Sequence, residues 1–182
     1  MRNQRIPMSS VTLLIAIALL LGGCALYESE YPLEPVEKGI IDYRLVGKWE
    51  CLAFPDADEP GMIVIKPLEG GAPYMRVAIE GANGEILGFT ASLDGEMLFS
   101  GTDEFKKWAI LHYWFVNDNM FELRALGDKT LPEEKQVPRE QLLEIVRRRF
   151  YDETLYEETC LACWRDTSIS YPGWLEDMME VK

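Results

Sequence analysis

The feature that most constrains the fold is a series of short strand-like segments separated by tight-turn sequences. The segments are rich in apolar residues, with apolar–polar alternation clearest at 45–54 and 120–126. They lie at 45–54, 62–68, 74–80, 86–93, 96–100, 107–116, 120–126 and 160–165. Asn83-Gly84 and Asp94-Gly95 are typical of the two-residue turns of β-hairpins. Strands that recur at this spacing and are joined by hairpin turns predict an antiparallel meander.

One helix interrupts the strands. Pro138 suits the first helical position, and apolar residues recur at helical spacing from Leu142 to Phe150. Strand–helix–strand alternation is absent from the pattern, which disfavours a parallel sheet. We therefore predict a mainly β fold for residues 45–182, a meander of about eight strands that closes into a small barrel, with one α-helix at about 138–150 before the last strand. The pattern at 172–179 predicts a short terminal helix.

The N-terminus has the pattern of a secretory signal. Arg2 and Arg5 precede an apolar run from Val11 to Leu21, which is shorter than the roughly 20 residues that a membrane-spanning helix needs. Residues 1–23 are therefore predicted to be a signal helix. The sequence Leu21-Gly22-Gly23-Cys24 resembles the lipobox of bacterial lipoproteins; an ordinary cleaved signal with an incidental cysteine is the alternative.

The lipobox resemblance implies a location for the mature chain. In that family the signal is removed before the cysteine, which carries acyl chains on its sulfur and its amine. Carried over, Cys24 becomes the lipidated N-terminus, and its acyl chains (palmitate among them) insert into the membrane. In the same family aspartate after the cysteine favours the inner membrane, so Ala25 favours the outer membrane. The resemblance thus implies a membrane-anchored lipoprotein that faces the periplasm.

Residues 24–44 are predicted to form an extended tether. Pro32 and Pro35 favour extended backbone in the residues before them. A chain of this length reaches at most about 65 Å, and less if part of it packs on the domain. Loss of Arg2 and Arg5 with the signal lowers the formal net charge from −13 to −15. Such an acidic surface disfavours nucleic acid and anionic headgroups as partners.

The first predicted strand begins with Gly47-Lys48-Trp49. This start resembles the G-x-W motif of lipocalin-like barrels, in which the tryptophan plugs one end and an arginine from a late strand lies over its ring. The resemblance implies that role for Trp49 and makes Arg165 the candidate arginine. Without the resemblance, Trp49 is interpreted as a tryptophan buried in a β core.

Lipidation of Cys24 would leave Cys51, Cys160 and Cys163 in an oxidising compartment. If the first and last strands pair antiparallel with Trp49 opposite Arg165, then Cys51 lies directly opposite Cys163. We therefore hypothesise a Cys51–Cys163 disulfide that closes the barrel seam. The alternative is a redox pair of Cys160 and Cys163, although residues three apart on a strand point to opposite faces.

Catalytic motifs are missing from the sequence. His112 is the one histidine, and the chain has no Gly-x-Ser-x-Gly, glycine-rich phosphate loop or His-Glu-x-x-His motif. We predict a protein that is not an enzyme and has no cofactor and no metal site. The aromatic residues of the sixth strand are either packed core or candidates to line a ligand cavity; they are Trp108, Tyr113, Trp114 and Phe115.

The function that these observations favour is a non-catalytic interaction or accessory role for a lipid-anchored envelope protein, with an envelope protein as partner. The first alternative is a carrier or sensor of a small apolar ligand inside a lipocalin-like barrel. The second is a periplasmic thiol oxidoreductase that uses Cys160 and Cys163. A cavity in the barrel would favour the carrier, whereas a filled interior with an exposed apolar patch would favour the interaction role.

Overall fold

The computed structural model describes residues 27–54, 60–81, 85–102, 107–127, 131 and 137–165. The predicted signal peptide, Cys24 and the predicted helix at 172–179 lie outside these ranges. The strands are β1 (Glu28–Ser29), β2 (Gly47–Phe54), β3 (Gly61–Pro67), β4 (Met75–Ile79), β5 (Glu85–Leu93), β6 (Glu96–Thr102), β7 (Trp108–Asn117), β8 (Met120–Leu126) and β9 (Tyr156–Trp164). The helix α1 spans Arg139–Arg149, and two short 3-10 helices span Val36–Lys38 and Glu153–Leu155.

Strands β2 to β9 form a closed antiparallel barrel of eight strands. Each strand pairs with the next in sequence, and β2 pairs with β9 to close the cylinder. The predicted mainly β fold, its barrel closure and the single helix before the last strand are therefore confirmed. The two-residue strand β1 was not predicted; it adds to β7 beyond the point where β8 ends, with Glu28 opposite Ala109.

Alternation along the strands separates an inner face from an outer face. On β2, Trp49, Cys51 and Ala53 point inward and are buried. On β7, Leu111 and Tyr113 point inward, and Ile110 points outward. The outer position is nevertheless buried, so both faces of β7 are apolar.

A second hydrophobic core lies outside the barrel. Helix α1 buries Leu142 and Val146, and both pack in one cluster with outward-facing residues such as Leu98, Ile110 and Leu126. Pro138 precedes the first turn of α1, and Leu142 N–H donates to its carbonyl. Because α1 covers one side of the barrel, Leu98 on β6 and Ile110 on β7 are buried although they face outward. Within the described ranges, no helix is both long enough and apolar enough to cross a membrane.

The predicted tether packs against the barrel. Tyr27 and Leu33 are buried in the outer core, and Ile40 pairs with Thr90 on the free edge of β5. Residues 27–44 of the predicted tether therefore pack on the domain instead of extending away from it. An extended segment that contains prolines can lie along the outside of a sheet. Burial of the Tyr27 and Leu33 side chains stabilises the segment there.

The barrel has two distinct ends. We call the end that carries Gly47, Asp94 and Asp118 the plugged end. The opposite end, which carries Gly61, Ile79 and Glu85, is the cavity end. We call residues 27–46 the strap. Its last residues, 40–46, cross the barrel at the plugged end before the chain enters β2.

Candidate functional site

Trp49 is the centre of the plugged end. Its side chain is completely buried, and its Nε1–H donates to the Leu45 carbonyl over 2.7 Å. The ring meets Phe121 edge to face, with 4.6 Å between centroids, and Phe115 lies beside it at 6.4 Å. Three aromatic rings therefore fill this part of the interior, and the indole N–H has a partner.

Two arginines cover this aromatic cluster from outside. The guanidinium carbon of Arg165 lies 4.1 Å from the centroid of Trp49, and that of Arg44 lies 4.4 Å from the centroid of Phe115. Arg165 also donates to the carbonyls of Arg44 and Val46. Arg165 thus lies over the Trp49 ring, the position that the G-x-W resemblance implied for it, and its hydrogen bonds join residues 44 and 46 to the end of β9.

Asp42 fixes the strap inside the barrel. Its carboxylate is only 8% exposed and accepts a hydrogen bond from the Tyr113 hydroxyl at 3.0 Å and from the Arg44 guanidinium at 2.7 Å. Burial by itself would raise the pKa of Asp42, but the hydrogen bonds from Arg44 and Tyr113 outweigh it and hold that pKa below its usual value. Burial, followed by the nearby Asp42 charge, raises the pKa of Tyr113. Asp42 is therefore charged and Tyr113 is neutral at neutral pH.

Next to this plug the barrel interior contains a cavity of about 110 Å³. Its lining comes from the strap and from β2 to β9, and almost every member is aliphatic or aromatic. The lining residues are Leu45, Cys51, Gly61, Ile63, Ile65, Val77, Ile79, Ile86, Phe99, Leu111, Tyr113, Phe121, Leu123 and Leu161. The lining extends from Leu45 near the plug to Gly61, Ile79 and Ile86 at the cavity end.

Among the described residues, two polar side chains beside the cavity are paired with protein atoms. The Tyr113 hydroxyl donates to Asp42, and the Thr90 hydroxyl donates to the Ile40 carbonyl over 2.8 Å. A guest in the cavity would therefore meet hydrocarbon and ring surfaces rather than free donors or acceptors. A cavity of this size and lining selects small apolar groups, because a polar guest would lose its hydrogen bonds to water.

Of the four aromatic residues that were predicted as candidates to line a cavity, two face inward and two face outward. Tyr113 lines the cavity, and Phe115 points inward but packs in the plug. Trp108 and Trp114 were wrong choices: they lie on the outer face, where Trp108 meets Phe89 at 5.8 Å and Trp114 lies beside the ring of His112. The cause is the alternation of β7, whose even-numbered residues face outward.

The aliphatic wall of the cavity was not predicted from the sequence. Ile63 and Ile65 on β3, and Val77 and Ile79 on β4, line it from adjacent strands. The available signal was the alternation within each strand, which places each pair on one face. Only closure of the barrel shows that this face is the inner one.

The Cys51–Cys163 disulfide is confirmed. The two residues are direct partners in the β2–β9 ladder, with 4.1 Å between their Cα atoms and 112 residues between them in sequence. Glu50 pairs with Trp164 in the same register. Cys163 is thus bonded to Cys51 rather than to Cys160, whose backbone pairs with Phe54 on β2.

His112 packs on the outer side of the barrel, at the C-terminal end of α1. Its ring contacts Phe150 and Tyr156, and its Nε2 lies 3.4 Å from a carboxylate oxygen of Glu96. Burial lowers the pKa of His112, with partial opposition from Glu96. Across the described ranges, no three or more His, Cys, Asp or Glu side chains converge to hold a metal ion.

Fold and site together define a small, closed antiparallel β-barrel that is plugged at one end by a Trp–Arg pair and carries an apolar cavity in its interior. No family model, no curated protein and no solved structure matches this chain.

Proposed function

We propose that this protein is a lipid-anchored envelope protein that binds a small apolar ligand inside its barrel. The observation that carries the proposal is the apolar cavity of about 110 Å³ beside the Trp49 plug. Of the functions that the sequence left open, the carrier or sensor requires such a space, and a fully packed interior would have argued against it. The role is non-catalytic, without a cofactor or a metal ion.

The size of the cavity limits the ligand. A dry apolar cavity of about 150 Å³ binds benzene or xenon, whereas sites for drug-sized molecules measure about 300–1,000 Å³. The ligand, or the part of it that enters the barrel, is therefore about the size of one aromatic ring or a short aliphatic segment. Burial of apolar surface supplies the binding free energy, at about 25 cal/mol per Å².

The anchor rests on the lipobox resemblance and on the short apolar run before it. Acylation of Cys24 places the barrel on the periplasmic side of a membrane, and Ala25 favours the outer membrane. The oxidising compartment that this implies agrees with a protein that carries a structural disulfide, Cys51–Cys163. The test is the effect of Cys24→Ala, which abolishes incorporation of a labelled palmitate and releases the protein from the membrane fraction.

Ligand binding is tested with toluene as the probe. Toluene raises the thermal unfolding midpoint of the purified mature protein, because a ligand that binds only the folded state stabilises it by mass action. Phenol, which has a similar ring with a hydroxyl group, stabilises much less since the cavity offers that hydroxyl no partner. An equal shift with both probes, or no shift with toluene, contradicts a dry apolar site.

A matched pair of variants assigns that binding to the cavity. Val77→Phe fills the space from the inner face of β4 and abolishes the toluene shift. Val64 lies on the neighbouring strand, opposite Ala78 in the ladder, and faces outward. Val64→Phe therefore retains the shift.

An interaction role with another envelope protein is the second candidate. The observation that favours it is the apolar surface left on the strap: Tyr43 is 70% exposed and Ile40 is 46% exposed. Tyr43→Glu is expected to abolish co-purification of a partner after cross-linking in intact cells. If this variant retains the cross-linked partner, the strap is not the contact surface.

A further inference from the structure

The structure leaves very little free chain between the lipidation site and the folded domain. Tyr27 is buried in the outer core, and its N–H donates to the Leu126 carbonyl over 3.1 Å. Only three residue steps separate Cys24 from Tyr27. Their fully extended length is at most about 11 Å, compared with about 65 Å for the tether that the sequence predicted.

The attachment point lies at the cavity end of the barrel. Leu126 is the last residue of β8, and β1, which follows Tyr27 directly, pairs with the first residues of β7, Trp108 and Ala109. Both of these strand ends belong to the cavity end. The other end of β7 is at Asn117, in the plugged end. Asn117 is seven residues along β7 from the position level with Tyr27, a distance of roughly 20 Å along the barrel axis when the strands are tilted.

We infer that the cavity end of the barrel is held against the surface of the bilayer, with the plugged end directed away from it. The inference rests on the proposed acylation of Cys24. An anchor of about 11 Å reaches the cavity end but cannot extend past the barrel to bring the plugged end to the membrane. The bilayer surface is therefore the partner of the cavity end, and an apolar ligand reaches the cavity from the membrane side.

The short anchor, rather than surface charge, holds this orientation. Exposed groups at the cavity end include the acids Glu28, Glu80 and Glu85, and Arg76 is paired with Glu85 at 3.0 Å. Such a surface gains nothing from anionic headgroups. The orientation is therefore expected in vesicles whose lipids carry no net charge, and it is expected not to change with moderate salt concentration.

The experiment uses the full mature chain, acylated on Cys24 and reconstituted into phosphatidylcholine vesicles. A photo-crosslinking residue, p-benzoylphenylalanine, replaces either Glu80 at the cavity end or Asp118 at the plugged end. Both positions are exposed acidic residues in turns. Asp118 lies in the turn between β7 and β8, on the same side of the barrel as the anchor. Position 118 is therefore a stringent control, because it is a part of the plugged end that lies directly above the anchor.

We expect lipid adducts at position 80 and none at position 118. Adducts at both positions in equal amount, or at 118 alone, overturn the inferred orientation. Protein that fails to float with the vesicles overturns the proposed acylation instead, and the inference falls with it. Flotation and cross-linking therefore report the two failures separately.

A linker variant shows whether anchor length sets the orientation. Twenty Gly/Ser residues inserted between Ala25 and Leu26 give a flexible connection of about 25 Å root-mean-square length. This variant is expected to float normally and to lose the difference between positions 80 and 118. If the difference persists, contacts of the barrel surface with lipid set the orientation and the short anchor does not.

Discussion

The two ends of one barrel use the same eight strands to different effect. At the plugged end, Trp49, Phe115 and Phe121 fill the interior, and Arg44 and Arg165 lie over the rings. Towards the cavity end, aliphatic residues such as Ile63, Val77 and Ile79 leave a space of about 110 Å³. Closure of the sheet is common to both ends, so side-chain volume decides whether the interior is packed or empty.

The comparison also separates two ways of stabilising the interior. The plugged end combines ring packing with a buried charge: Asp42 is bonded to both Tyr113 and Arg44. Around the cavity, apolar burial and the Cys51–Cys163 disulfide stabilise the interior, and part of its possible side-chain packing is missing. Side-chain packing is therefore denser at the plug, and room for an added group lies at the cavity.

The largest expected effect concerns the disulfide between β2 and β9, the pair of strands that closes the barrel. Replacement of both Cys51 and Cys163 by Ser is expected to lower the free energy of unfolding by about 4–5 kcal/mol, since the bond closes a loop of 112 residues. Urea denaturation without reductant measures it. Cys160→Ser is the control and changes little. If that single variant costs as much as the double variant, the pairing in solution differs from Cys51–Cys163.

Removal of the plug is expected to cost nearly as much. Trp49→Ala loses about 3–5 kcal/mol, because a completely buried ring is replaced by a cavity. Ile86→Ala at the cavity end loses clearly less, since Ile86 is only half-buried and already borders empty space. Urea titrations of both variants compare the ends directly. Equal losses would show that the two ends are equally packed.

The hydroxyl that fixes the strap is expected to contribute an intermediate amount. Tyr113→Phe removes the donor to Asp42 and lowers the free energy of unfolding by about 1–3 kcal/mol. Tyr43→Phe is the matched control at an exposed position and is expected to stay within about 0.5 kcal/mol. Equal effects would mean that the strap is not held by this bond.

Asp42 also predicts a pH dependence at the plug. Because its pKa is lower in the folded protein than in the unfolded chain, its charged form contributes stability above about pH 4, and this contribution is lost as the pH falls through the folded pKa. Asp42→Asn is less stable than the native protein at neutral pH, and the difference shrinks in acid. A constant difference from pH 7 to pH 3 contradicts this role.

The smallest expected effect is a gain at the cavity. Val77→Ile adds one methylene to the empty space and is expected to stabilise the fold by about 0.5–1 kcal/mol. The same change at Val146, which is fully buried in the outer core under α1, is expected to destabilise by about 1–3 kcal/mol. Thermal unfolding of the two variants gives the sign. A loss at Val77 would mean that the cavity has no room for an added group.

Much of this architecture was predictable because local patterns carry it. Alternation and hairpin turns predicted the strands of the barrel. The G-x-W resemblance suggested that Trp49 lies opposite Arg165, and with that register the spacing placed Cys51 opposite Cys163. The choice of face on β7 was not predictable. Both Tyr113 and Trp114 are large and aromatic, and the outer face of β7 is also partly buried, so apolar character does not distinguish inside from outside.

The sequence by itself determined which segments form the eight barrel strands and how consecutive strands pair, because hairpin pairing and strand alternation depend on residues close in sequence. Only the tertiary structure decided that residues 27–44 strap the barrel and that Asp42 meets Tyr113, 71 residues away. It also decided that aromatic rings fill the interior around Trp49, whereas a cavity remains beside Val77. These outcomes depend on the volumes and charges of side chains that are distant in sequence and meet only when the sheet closes. A local sequence pattern does not contain that information.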